Sequence, residues 1–326
     1  FTLMQKPLKI LVVRFSSIGD IVITSPVVRC LKNQLKAEIH YITNDRYSSI
    51  VHNNPNIDKV YTISNSISEV LDSLKLERYD IVIDLHKNIR SYSLTSKLNT
   101  RKISYNKYTL KRLFYVYFGI NLLPKKHTID YYFSRLKKIG IKNDNEGLDY
   151  FIKDSDTIDY NISQKYIAWC IGASYENKKL SASQIIYVSS RVSIPIVLLG
   201  DENDKELADR ILDKTQNKNI VNFCGKLTIN QSSYLLKNSY MVLSNDTGLM
   251  HISSAFDKNI ISFWGCTKPN LGFYPLVVRE KSKMITSNDR RPCSKHGKYC
   301  RIIPDGCVKN IHPEIILEAV NSLLSK

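Results

Sequence analysis

ILVVRFSSIGDIVITSPVVRCL, residues 10–31, begins with four aliphatic residues, Ile10–Val13, and passes through Arg14 into the small polar stretch Phe15-Ser16-Ser17-Ile18-Gly19-Asp20. From Ile21 to Leu35 the chain is apolar at helical spacing. A short aliphatic run, a turn and a helix start make the first half of a βαβ unit. The turn offers backbone N–H groups and the hydroxyls of Ser16 and Ser17 to a ligand, and Gly19 permits close approach to the backbone. Asp20 stands where the helix begins, and two readings of it stay open. It is a carboxylate favoured by the helix dipole, or a group placed to take a proton from an attacking hydroxyl. No G-x-G-x-x-G follows the strand, which disfavours an ordinary dinucleotide turn.

The same alternation continues outward. Glu38–Ile42, Val60–Ile63 and Tyr79–Leu85 read as further strands with helix-length segments between them. After Asp154 the pattern restarts with Tyr166–Ile171, Ile194–Leu199, Ile220–Asn222, Tyr240–Ser244 and Ile260–Phe263, separated by stretches such as Ser181–Val192 and Asp204–Lys214. A chain of 326 residues also exceeds the roughly 250–300 that one core serves. The expectation is α/β: two Rossmann-like doubly wound domains, 1–153 and 154–326, joined by the polar run 153–163 and facing a cleft at the carboxyl ends of their strands. The last helix, Pro313 to Leu324, opens on a proline and is expected to pack back on the amino-terminal domain.

The second half repeats the strand–turn–helix junction. Tyr240–Ser244 leads into Asn245-Asp246-Thr247-Gly248-Leu249-Met250-His251. The amides of Thr247 and Gly248 at a positive helix end suit a diphosphate, with Asp246 beside them. His251, one turn on, either faces that ligand or is simply packed. The strand ending at Ile171 opens into Gly172-Ala173-Ser174 and then Lys178 and Lys179, a hydroxyl and two point charges. Pro195–Leu199 ends in Gly200-Asp201-Glu202-Asn203-Asp204, where acids are placed to bond ribose hydroxyls. Together these strand ends read as a nucleotide site.

Charge points to an anionic partner. Lys and Arg number 47 against 30 Asp and Glu, a net charge of +17. Between Leu85 and Lys142 there are 14 basic residues and one acid, Asp130. Nucleic acid, an anionic membrane surface or a phosphorylated substrate would each answer that excess, and a solvated face is the plain alternative. The longest stretch free of charge, Leu113–Pro124, is too short to span a bilayer, and no export signal is expected. Of seven cysteines, Cys30, Cys170, Cys224 and Cys266 sit singly in apolar surroundings and read as packing residues. Cys293, His296, Cys300, Cys307 and His312 could be arranged as zinc ligands, but their spacing lacks a paired CxxC framework and packing is the preferred role.

The stretches 10–31, NPNIDKVYTI (54–63), GASYENKKLSASQ (172–184), VLSNDTGLMHISSAFDKNIISFWGCTKPN (242–270), RPCSKHG (291–297) and CVKNIHPEIILEAV (307–320) resemble the lipopolysaccharide heptosyltransferases, glycosyltransferase family 9. The resemblance implies the GT-B fold. It also implies an inverting, metal-independent transfer of heptose from ADP-heptose to a lipopolysaccharide core hydroxyl, with no cofactor. By it, Asp20 is the general base, and donor contacts come from Ser174, Lys178, Asp204, Asp246, Thr247, Gly248 and His251; the turn residues Ser16, Ser17 and Gly19 are expected to join them. The phosphorylated glycolipid acceptor would meet Lys87 and Arg90. The protein would be cytoplasmic and peripheral to the anionic inner-membrane surface. Residues 113–123, bracketed by Lys111, Arg112, Lys125 and Lys126, read either as an interfacial segment or as a core helix with solvated ends. Two departures stand out: Leu180-Ser181 replaces a usual Trp-Pro, and Asp204 is shorter than the family's glutamate. The DxD-like string Asp154-Ser155-Asp156 reads as linker.

Two other functions compete. A family member could carry a different sugar or act on another surface glycan. A nucleotide-dependent polyanion- or nucleic-acid-binding module would use Tyr105, Tyr108, Phe114, Tyr115 and Tyr117 as stacking aromatics among basic residues. It leaves SSIGD and NDTGLMH without a purpose, so no nucleic acid is expected.

Overall fold

The computed structural model describes residues 6–158, 165–278, 280–287 and 291–325, in two compact units. The first comprises residues up to Lys107 together with Lys126–Lys153, and the second comprises Tyr108–Lys125 with Asp154 onward.

The first unit is a parallel sheet of five strands: β1 (Lys9–Val13), β2 (Glu38–Asn44), β3 (Lys59–Ile63), β4 (Ile81–Asp84) and β5 (Arg101–Ser104), in the order β3-β2-β1-β4-β5. Helices α1 (Ile18–Val22), α2 (Ser25–Leu35), α3 (Ser49–His52), α4 (Ser68–Leu76) and α5 (Ile89–Ser96) connect them. Strands buried on both faces must be apolar throughout, and Ile10, Leu11, Val12 and Val13 are all fully buried. One face packs Leu11 and Val13 with Ile42, Leu74, Val82 and Leu94.

The single helix expected from Ile21 to Leu35 is in fact two. The Thr24 hydroxyl donates to the Ile21 carbonyl at 2.6 Å and the Ser25 hydroxyl to the Val22 carbonyl at 2.7 Å. Those side chains take the carbonyls of the first turn, and Pro26 starts the second helix.

Helix α6 (Thr109–Phe118) groups with the second unit, so residues 108–125 do not belong to the amino-terminal domain as expected. Tyr115 and Leu123 cluster with Leu271, and the Arg112 guanidinium lies 4.8 Å from the centre of the Phe273 ring. Helix α7 (Thr128–Leu136) returns to the first unit.

The second unit's sheet has six parallel strands: β6 (Ile167–Cys170), β7 (Ile196–Leu199), β8 (Ile220–Asn222), β9 (Met241–Asn245), β10 (Asn259–Trp264) and β11 (Ser282–Thr286), in the order β11-β10-β9-β6-β7-β8. Its helices are α8 (Ala182–Ser189), α9 (Lys205–Lys214), α10 (Ile229–Asn238), α11 (Gly248–Ala255) and α12 (Pro313–Leu324). Ile316, Ala319, Val320 and Leu323 of α12 enter the same core as Trp169, Leu243 and Phe263. The last helix therefore packs on its own unit, contrary to the expected return to the amino-terminal domain. Of the expected linker, 154–156 form a 3₁₀ turn and 159–163 lie outside the described residues.

Candidate functional site

In a doubly wound sheet, ligands bind where the winding reverses, outside the carboxyl ends of the two strands at the switch. In the first unit those strands are β1 and β4. Arg14 leaves β1 buried, and its fork serves three partners: Nε donates to the Ser16 carbonyl at 2.7 Å, one terminal nitrogen donates to the Leu85 carbonyl, and the other pairs with Asp20 Oδ1 at 2.7 Å. Asp20 Oδ2 accepts from the Ser17 hydroxyl at 3.0 Å and the Ser17 amide at 3.3 Å. Both oxygens of Asp20 are thus fixed, while its side chain keeps about a quarter of its surface in solvent (25%). Gly19 is buried at the same turn.

After β4, Asp84 folds the chain back by accepting the amides of His86 and Lys87 at 2.9 and 2.8 Å, and its other oxygen accepts from the Ser91 hydroxyl. This sets His86 against Phe15, ring centres 5.1 Å apart. Lys87 donates to the Tyr105 carbonyl at 2.7 Å, while Arg90 donates to the Asn65 carbonyl and covers Phe15. A carbonyl takes a hydrogen bond without cancelling charge, so this loop remains cationic.

His86 is a contributor the sequence reading missed. Its Nδ1 is buried with no hydrogen-bond partner among the described residues. Burial first, then the Arg14 and Lys107 charges, push its pKa down to about 4. The unfolded chain binds that proton near pH 6.5 and the native state refuses it. Stability from this group is therefore complete above about pH 6.5 and is lost as pH falls toward about 4, by at most about 3 kcal/mol. Urea unfolding at pH 7 and pH 5 should show the loss, and His86→Gln should shrink it. Equal losses in both proteins would remove His86 from this account.

In the second unit the switch lies between β6 and β9. Asn245, fully buried at the end of β9, donates to the Ile171 carbonyl at 2.8 Å and ties the two strand ends together. The Lys178 ammonium pairs with Asp246 Oδ2 at 2.7 Å, and the Thr267 hydroxyl donates to the same oxygen at 2.7 Å. Burial opposes charge on Asp246, but Lys178 and Thr267 outweigh it and hold the carboxyl below its usual range. The Thr247 side chain does not cap the start of α11; Thr247 is extended and Gly248 is the first helical residue. The first amides of α11 and the positive end of its dipole are left for an anion. His251, buried on α11, adds its influence to Asp246. Ser174 is exposed in the turn after β6.

Asp204 departs from its expected place at a ribose. It is 2% exposed, pairs with Lys179 at 2.7 Å, and accepts the Asp201 amide at 2.9 Å. A Cβ on Gly172 would lie 2.2 Å from its carboxylate, and one on Gly200 would lie 2.7 Å away. The two glycines give room for this carboxylate to knit the turns after β6 and β7. Ser181, in the place of the usual proline, caps α8 by exchanging bonds with Gln184, and Leu180 joins the core. That departure is local helix chemistry.

The cysteine string also resolves differently. His312 is exposed and pairs with Glu314, and His296 is exposed too. Cys266, taken as a packing residue, instead joins Cys293, Cys300 and Cys307 in one cluster.

The profile of glycosyltransferase family 9 (heptosyltransferase) matches residues 67–303. Lipopolysaccharide heptosyltransferase 1 of Campylobacter coli is 23% identical across 350 aligned positions, covering 97% of this chain and 99% of that protein. Among solved structures, the family 9 glycosyl transferase from Veillonella parvula superposes with a TM-score of 0.82 at 20% identity, covering 99% of each chain. The E. coli ADP-heptose lps heptosyltransferase II superposes at 0.73 with 18% identity, covering 98% of this chain and 99% of that one. Two parallel α/β units, each with its polar groups outside the strands at its own switch, are the halves of a GT-B glycosyltransferase. The chain belongs to glycosyltransferase family 9, the heptosyltransferases.

Proposed function

We propose that the enzyme moves heptose from ADP-heptose to a hydroxyl of a phosphorylated lipopolysaccharide core acceptor, with inversion at the anomeric carbon and no metal at the reacting sugar. The observation that carries this reading is the Asp20 carboxylate, fixed on both oxygens by Arg14 and Ser17 yet open to solvent. The name of the Campylobacter relative supports the acceptor class, and that of the E. coli structure supports the donor.

In the proposed step the acceptor O–H gives its proton to Asp20 and the oxygen forms its bond to the anomeric carbon. The bond from that carbon to the diphosphate oxygen breaks, and ADP leaves with the electron pair. The amides at the start of α11, with Thr247 and Gly248, and the Lys178 ammonium answer the charge that develops on the leaving group. Lys87 and Arg90 suit acceptor phosphates. Asp246 holds Lys178 in place until the diphosphate arrives.

The membrane-surface role rests on α6 and the segment after it. Leu110, Phe114 and Phe118 are 75%, 46% and 65% exposed, with Lys111 on the same helix and Lys125 following. Apolar side chains among cations suit an anionic lipid surface. No helix among the described residues is long and apolar enough to cross a membrane.

The test is a transfer assay with ADP-, GDP- and UDP-sugars on a deacylated core acceptor, beside flotation with anionic and neutral vesicles. ADP-heptose should be consumed and the product anomer inverted, and only anionic vesicles should retain the enzyme. Use of another nucleotide sugar would sink the donor assignment. Retained chemistry without vesicle binding would sink the surface role. Salt-sensitive DNA or RNA binding without transfer would sink the enzyme reading in favour of a polyanion-binding module.

A further inference from the structure

Four cysteines that are distant in the chain meet beside the Lys178–Asp246 pair. Cys266 follows β10, Cys293 and Cys300 lie in the loop beyond β11, and Cys307 opens the 3₁₀ turn before α12. Their sulfurs all lie within 4.8 Å of one another. Three separations are 3.7 Å (Cys266–Cys307), 3.7 Å (Cys293–Cys300) and 3.9 Å (Cys293–Cys307). A tetrahedral ion bound at about 2.3 Å to each sulfur sets the sulfurs about 3.8 Å apart. Cys266, Cys293 and Cys307 are buried and Cys300 is partly covered, as in a closed structural site. The backbone already serves the cluster. The Cys293 amide donates to the Cys266 carbonyl at 2.9 Å, and the Ile302 amide points at Cys300 Sγ at 3.5 Å. A second gathering of possible ligands, Glu38, His40 and Glu77, differs in that Lys9 and Lys59 pair with Glu77 at 2.7 Å each.

We propose that Cys266, Cys293, Cys300 and Cys307 bind one thiophilic metal ion, zinc or iron, as a tetrathiolate, each thiol losing its proton on coordination. All-sulfur tetrahedral sites select these metals. The ion is structural and takes no part in sugar transfer. It clamps the loop 293–307 onto the segment that carries Lys178. A Cβ on Gly297 would lie 2.5 Å from the Lys178 side chain, one on Gly306 would lie 2.4 Å from the Asn177 carbonyl, and Asn177 donates to the Lys298 carbonyl at 3.0 Å. Thr267, next to Cys266, holds Asp246 from the other side. The metal therefore positions the Lys178–Asp246 pair, and its effect on donor affinity rests on the function proposed above.

The full-length protein purified without added metal should carry about one zinc or iron per chain by elemental analysis, and Cys266→Ser and Cys307→Ser should lose it. A colourless protein identifies zinc, and sulfur-to-metal bands in the visible identify iron. Because a serine variant can simply fail to fold, wild-type protein stripped by a chelator is also titrated with cobalt(II). Intense sulfur-to-cobalt absorption saturating at one equivalent supports the site, with four fewer thiols then open to a thiol reagent. Metal-poor protein that takes up no cobalt overturns it. So do two disulfides, seen as an intact mass lower by four hydrogens. A stripped enzyme should bind ADP about tenfold more weakly. Unchanged ADP affinity with the metal present at one equivalent would remove the positioning role and leave the site standing. ADP failing to bind even the metal-loaded enzyme would count against the donor assignment alone.

Discussion

Asp20→Asn should lower kcat by about 10²–10⁴ while leaving the donor KM close to wild type, because a positioned general base contributes about that much. The substitution is nearly isosteric, so the oxygen facing Ser17 survives and the turn keeps its shape. What disappears is the capacity to take a proton, together with the negative partner of Arg14, which lies 2.7 Å away. Some stability should go as well, about 1–2 kcal/mol, since a nearly buried guanidinium loses its counter-charge but keeps its bonds to the carbonyls of Ser16 and Leu85. Single-turnover kinetics separates the two effects, because fully folded Asp20→Asn enzyme at saturating donor still lacks the proposed proton acceptor. A kcat within threefold of wild type would mean that another group deprotonates the acceptor.

Arg14→Met should produce the largest loss of stability of any single change at the site, about 3 kcal/mol or more in urea unfolding at pH 7. Burial works against charge on the guanidinium, yet the opposing influences, the Asp20 carboxylate first among them, leave its pKa above the ordinary arginine value. Methionine fills the space but leaves two carbonyls without a donor and a carboxylate without a cation. Lysine would keep the charge and lose the fork, so Arg14→Lys should fall between the two. Arg14→Met in an Asp20→Asn background should cost less than in wild type, since the ion pair is then already gone. Strict additivity would show that the 2.7 Å pair contributes nothing to folding.

The central strands were legible in the sequence because a strand covered on both faces is written as an uninterrupted apolar run, as in Ile10–Val13. Two of the four edge strands, β5 and β11, were not. Arg101–Ser104 and Ser282–Thr286 pair on one side only, expose Arg101 and Lys102 in the one and Met284 and Thr286 in the other, and lack such a run. The junction residues stood out for the same reason as the central strands: small and acidic residues directly after an apolar strand mark the place where a helix begins. What pattern could not supply was partnership across long separations in the chain. Lys179 and Asp204 look like ligand contacts in a string of polar residues, yet they find each other and close two turns. Cys266, alone among apolar neighbours, meets its three companions only when the loop before α12 folds back. Residues 108–125 lie within the amino-terminal sequence but pack with the carboxyl-terminal unit, a choice made by Leu271 and Phe273.

Counted from its own first strand, each sheet is wound in one and the same order. The first runs 3-2-1-4-5, and the second, reversed and renumbered from β6, runs 3-2-1-4-5-6. In both, the polar machinery hangs on the turns after strands one and four: Asp20 and His86 in one half, Lys178 and Asp246 in the other. A repeated plan of this kind lets the two turns of one half drift in sequence while the other half's core and turns stay as they are. On the proposed division of roles, taste for a new acceptor can then evolve without relearning the donor.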